Sequence, residues 1–305
     1  YYTYSYDSAM VYANRGLALA QSVNNAYYTT LNRINRAAVL STGGFYSQAE
    51  TLLNEIGENN VPHQLKQYYY YTTTWLYSYW EAFCDKSEFK DYYRQKKLQF
   101  LRLTVNTTHS NYVGLYAYLS GELAYLENPL GKNVLRHYTI AINNSQVNSR
   151  VHASAAYCIA RYYREIGNMQ LYEKYIIEAA ISDMVCPLKE NLALQELSTY
   201  LYKKDTKYAD RAARYIYCSM EDARFYNNRL RMLEISSILP IIATASQEAL
   251  AHKERIVRGV LAVVSFLSLV LFAMAIFGYK QNKRLARSRR EVKSQNRQLT
   301  ELNEK

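Results

Sequence analysis

Residues 154–184 read SAAYCIARYYREIGNMQLYEKYIIEAAISDM. Two helical patterns, each about 12 to 15 residues long, meet at Gly167 and Asn168, which predicts a helical hairpin. Residues 37–62, AAVLSTGGFYSQAETLLNEIGENNVP, have the same layout about a turn at Gly43 and Gly44. Small residues fall where each pair of helices would cross, Ala160 with Ala179 and Ala37 with Ala49, and an aromatic follows each turn. Close helix approach needs small side chains at the crossing and large ones beside it. The pattern adds hairpins around 63–103, 109–146 and 187–222, so first helices start near 25, 63, 109, 150 and 187. Five such hairpins in a row stack into a solenoid with a concave inner face.

Composition agrees. The 305 residues include only 10 Gly and 4 Pro, where average usage would give roughly 37 together. Sandwiches, barrels and doubly wound sheets need such punctuation roughly every 8 to 15 residues, so an all-α chain is expected. Tyrosine is in excess, at 33 copies, and the core must be built partly from phenols.

The two hairpins resemble the tetratricopeptide repeat. Residues 154–184 match its pattern at Ala160, Tyr163, Gly167 and Ala179 and depart from it at Tyr172, where the repeat usually has Ala. Residues 37–62 match at Ala37, Gly44, Tyr46 and Ala49. The wider spacing of the predicted helix starts implies an irregular array. Such repeats imply a surface for an extended peptide or a partner protein, and no catalysis.

The net charge of +11 is local. Residues 280–305 hold nine Lys or Arg against three acids and residues 253–258 three against one, which leaves +3 for residues 1–252. The bulk of the chain has no general electrostatic claim on phosphate, and no direct nucleic-acid contact is expected from the residues present. Between the basic runs, residues 259–279 read GVLAVVSFLSLVLFAMAIFGY without a charge. As a helix they span roughly 31 Å, the thickness of a bilayer core. The flank beginning Tyr279, Lys280, Lys283, Arg284 carries more cations than the preceding one, which places the C-terminal side in the cytoplasm. The expected organisation is a helical-repeat solenoid over 1–222, a lever over 223–256 that kinks or ends at Pro240, a transmembrane helix over 257–279 and a basic helix over 280–305. That helix repeats Leu285, Val292 and Leu299 every seven residues, with Leu302 at one further position. It fits a coiled homodimer through 280–305 or a helix lying on anionic lipid. Tyr1 and Lys305 both read as cut ends.

Catalytic and metal signatures are absent: no phosphate loop, no paired Cys-x-x-Cys, no His-Glu-x-x-His and no Gly-rich dinucleotide turn. No cofactor is expected, and the chain does not read as an enzyme. Cys186 and Cys218 could bridge neighbouring helices, or all four cysteines are free thiols. Two triplets, Asn106-Thr107-Thr108 and Asn143-Asn144-Ser145, fit the glycosylation pattern. Two features could face a ligand. Tyr157, Arg161 and Arg164 share one helix face, where they clamp an anionic peptide or form a solvated face. The run Tyr68 to Tyr71 with Trp75, Tyr77, Tyr79 and Trp80 packs between hairpins or offers a stacking surface for a sugar or peptide.

Residues 208–242, YADRAARYIYCSMEDARFYNNRLRMLEISSILPII, followed by the span and KQNKRLARSRREVKSQNRQLTELNEK, resemble a family of Gram-negative membrane proteins. Its members join an extracytoplasmic tetratricopeptide-like array to one span, a coiled helix and a cytoplasmic output domain, and are described as transcriptional regulators or as domains of unknown function. The resemblance implies an inner-membrane signal transducer, with residues 1–256 periplasmic and 280–305 cytoplasmic, whose repeats bind a peptide, a glycan-related signal or a protein. The sensor part of a histidine kinase and a static membrane-anchored scaffold are the alternatives.

Overall fold

The computed structural model describes residues 5–84, 88–186 and 192–303, all of them helix and turn. A first helix, α1 (Tyr6–Ser22), precedes five hairpins: α2 (Ala26–Thr42) with α3 (Tyr46–Ile56), α4 (Lys66–Phe83) with α5 (Lys90–Thr107), and α6 (Val113–Glu127) with α7 (Lys132–Asn143). They continue as α8 (Arg150–Glu165) with α9 (Met169–Val185) and α10 (Leu192–Lys204) with α11 (Ala209–Tyr226). Helix α12 (Arg229–Asn303) ends the described chain. The expected start near 187 lies outside the described residues.

Asparagine supplies much of the punctuation that Gly and Pro do not. Asn24, Asn148 and Asn227 take positive φ, as do Gly44, Gly57 and Gly167. The Asn side chain tolerates this left-handed region because it can hydrogen-bond locally. Asn also starts helices: Asn25, Asn168 and Asn228 each accept a backbone N–H three residues on, at 3.1 Å. That bond satisfies one of the donors left open at a helix start.

Ala37, Ala49, Ala160 and Ala179 are fully buried at their crossings, as the spacing predicts. Tyr172, the departure from the repeat pattern, is buried against an edge-on Tyr200. The tyrosine excess has a recurrent use: the ring is packed and its hydroxyl donates to a carboxylate of another helix or turn. Tyr70 reaches Glu58 at 2.6 Å, Tyr77 reaches Glu50 at 2.8 Å and Tyr138 reaches Glu122 at 2.6 Å. Burial, and then the bond to Glu58, pushes the Tyr70 phenol up to about 12, so it stays a donor. Between α3, α4 and α5 the rings form a stack, with Trp80 4.3 Å from Tyr93 and 5.8 Å from Tyr46. Among the described residues no cysteine forms a disulfide, so the Cys186–Cys218 bridge is not made.

The chain divides into two compact units, the first ending at Ser246 and the second running from Gln247. Much of the expected lever therefore belongs to the repeat core: Leu230, Ile235 and Ile242 are buried. Pro240 lies inside α12, which does not end there. A proline in a helix interior costs about 3 kcal/mol or more, and burial of Ile235 and Ile242 on either side helps to offset it. Within the first unit the two ends of the array meet. The Thr42 and Tyr226 hydroxyls are 2.5 Å apart, the Arg229 guanidinium lies 4.0 Å over the Phe45 ring, and Leu230 joins the core of α2, α3 and α4. In the second unit α12 contains a stretch long and apolar enough to cross a membrane, by length and composition. Tyr279 ends that stretch and Lys280, Lys283 and Arg284 follow it, all exposed, as are Leu285, Val292 and Leu299.

Candidate functional site

Helices α4, α6, α8, α10 and the start of α12, with Lys90 and Lys97 of α5 and Asp183 of α9, line a cavity of about 700 Å³. Four of them are the first helices of their hairpins, so the cavity occupies the inner face of the array. Three kinds of side chain compose its wall.

Aromatic faces come from Tyr71, Trp75, Tyr79, Tyr118 and Tyr157. The run on α4 is divided: Tyr69, Tyr70 and Tyr77 are core, while Tyr71, Trp75 and Tyr79 line the cavity.

Charges are balanced, with five acids (Glu81, Glu122, Asp183, Glu196, Glu234) against five bases (Lys90, Lys97, Arg150, Arg161, Arg231). Lys97 pairs with Glu81 at 3.3 Å and Arg231 with Glu234 at 2.7 Å. Arg161 pairs with the buried Glu122 at 2.9 Å. Tyr138 and Cys158 donate to the same Glu122 oxygen, at 2.6 and 3.2 Å, and Arg161 also donates to the Tyr138 hydroxyl at 3.1 Å. The Arg161 guanidinium stacks 3.7 Å over the Tyr125 ring. Burial alone would raise the Glu122 carboxyl. The Arg161 charge, then Lys97 and the two donors, overcome that and hold it at about 2. Glu122 is therefore an anion at neutral pH, and Arg161 is held above the usual guanidinium range.

Open hydrogen-bonding capacity makes up the third kind. Among the described residues, Trp75 Nε1, Arg161 Nε and Gln195 Oε1 are buried atoms without a partner in the cavity wall, while Arg36 Nε, Thr72 Oγ1 and Ser120 Oγ are such atoms outside that wall. Orphaned buried polar groups are uncommon in native proteins and mark places where a ligand or water completes the bonding.

The sequence-predicted trio is divided by the structure. Tyr157 and Arg161 line the cavity. Arg164 does not line it and pairs with Glu196 at 2.6 Å. Each guanidinium already holds a carboxylate of this chain, so the two do not form an open clamp. Glu122 was missed, yet it left a signal: α6 reads VGLYAYLSGELAYLE, where Glu122 is the first charge in an apolar helix. A lone buried carboxylate in such a helix requires a cation from another element.

A family model described as SusR N-terminal TPR domain matches residues 1–237. No curated protein matches the chain.

Proposed function

The chain belongs to the SusR N-terminal TPR domain family, and from that premise we propose that it is the receiving part of a single-span signal transducer. A tetratricopeptide-like domain points to interaction with protein partners. The observation that carries the finer reading is that α12 supplies part of the cavity wall and also contains the apolar stretch of residues 259–279. One element thus belongs to both the receiving site and the span.

The cavity's lining indicates its ligand. Five acids against five bases leave no net charge, which disfavours phosphates and other strong anions. Aromatic faces with unpaired neutral donors and acceptors suit the amides and apolar side chains of a short extended peptide. In this reading the repeats lie in the periplasm of a Gram-negative cell. The span passes a change in helix packing to a cytoplasmic output, by the resemblance a transcriptional one, and the basic helix over 280–305 pairs with a second copy.

A reporter fused after Lys305 tests the topology. Alkaline phosphatase there should be inactive and a fluorescent protein there should be bright. Active phosphatase would place that end outside the cytoplasm and overturn the transducer.

A further inference from the structure

Stacked repeats ordinarily touch only their neighbours. Here residues 226–230 grip the opposite end of the array. Tyr226 is almost fully buried, bonds to Thr42 across 184 residues of chain, and takes the edge of the Tyr6 ring at 6.5 Å. Tyr6 itself stacks on Phe45 at 5.9 Å, and Phe45 carries Arg229 on its face. Even the turn glycine is fitted to this contact: a Cβ on Gly44 would lie 3.1 Å from the Arg229 Cβ. One turn further on, Arg231, Glu234 and Ser237 face the cavity.

We propose that residues 226–230 and the 42–45 turn form a clasp with a closed and an open form. In the closed form, seen here, α12 completes the cavity wall. Opening the clasp releases the first turns of α12 and removes that wall. Two properties suit the seam to this task. It joins segments far apart in sequence, so no local structure holds it shut. It also sits at a helix break, where Asn227 takes positive φ between α11 and α12. The clasp depends on the peptide-receiving reading only for its purpose, which is to let cavity occupancy set the state of α12.

The test needs no ligand, so an open clasp and an unliganded site are told apart. Amide hydrogen exchange is measured on the full chain in detergent micelles. Tyr226→Phe with Arg229→Ala should speed exchange over 226–238 at least tenfold, while α6 and α7 change less than twofold. Exchange of this kind reports local opening separately from global unfolding. Gly44→Cys with Arg229→Cys starts with the two Cβ atoms 3.1 Å apart, so a shift of a few tenths of an ångström outward brings them to the separation of a disulfide, about 3.5 to 4.5 Å. Oxidised, this variant should exchange at least tenfold more slowly over 226–238 than the same protein reduced, which also controls for strain at residue 44. Parallel changes in 226–238 and in α6 and α7 would mean plain destabilisation and overturn the clasp. No change in 226–238 would overturn it equally.

Discussion

Glu122 carries a large electrostatic consequence for the first unit. Its carboxyl is held near 2 in the folded chain against an ordinary 4.5, so it contributes stability that is complete above about pH 4.5 and is lost as pH falls toward 2. A shift of that size corresponds to something on the order of 3 kcal/mol. Urea unfolding of the detergent-solubilised chain should therefore show an acid loss that Glu122→Gln flattens. Arg161→Met should cost about 3 to 5 kcal/mol at neutral pH, because it leaves a buried carboxylate without its cation. A loss under 1 kcal/mol would show that Tyr138 and Cys158 suffice. Ligand binding cannot be read cleanly from Arg161→Ala for the same reason, since the change breaks the fold's own ion pair. The residue-level chemistry was half legible: the helical spacing placed Tyr157, Arg161 and Arg164 together, but a one-dimensional pattern cannot show that Glu122 and Glu196 already occupy both guanidiniums.

At the scale of elements, the hairpins were legible because helix period, crossing alanines and turn residues agree locally. The expected first-helix starts near 25, 109 and 150 fall close to the observed Ala26, Val113 and Arg150. The turns invite a paired measurement. Gly44 and Gly167 both have positive φ, but a Cβ on Gly167 meets nothing within 4 Å while one on Gly44 meets Arg229. Gly167→Ala should cost only the left-handed penalty of about 1 to 2 kcal/mol. Gly44→Ala should cost more, and should lose the excess when combined with Arg229→Gly, which removes the Cβ that the new methyl would meet at 3.1 Å. Equal costs for the two would mean that Arg229 gives way freely. The meeting of α2 with α11 and α12 was not legible. Closure depends on the summed twist of five irregular hairpins, and each hairpin's sequence records only its own small part.

For the whole molecule, the charge distribution separates a nearly neutral repeat unit from a basic C-terminal run. If residues 259–279 cross a bilayer, Leu267→Arg should weaken insertion by about 2.5 to 3.5 kcal/mol. The variant should then be partly extracted from membranes by alkaline carbonate, which leaves the parent chain in the pellet. Changing Lys280, Lys283, Arg284 and Arg287 to Gln should give mixed orientations, scored by thiol labelling of a cysteine placed after Lys305. A uniform orientation in that variant would mean that topology is set elsewhere. The two tryptophans also give the protein an optical readout. Trp80 is sandwiched by tyrosine rings away from the cavity, whereas Trp75 lines it with a free indole N–H. One emitter is therefore a steady internal reference, and the other changes colour when the indole gains a hydrogen bond. Titrating a pool of uncharged tripeptides should shift emission in the parent chain and in Trp80→Phe but not in Trp75→Phe. A spectrum that stays still in all three would remove the peptide from the cavity, and a shift that survives in Trp75→Phe would move the binding event elsewhere.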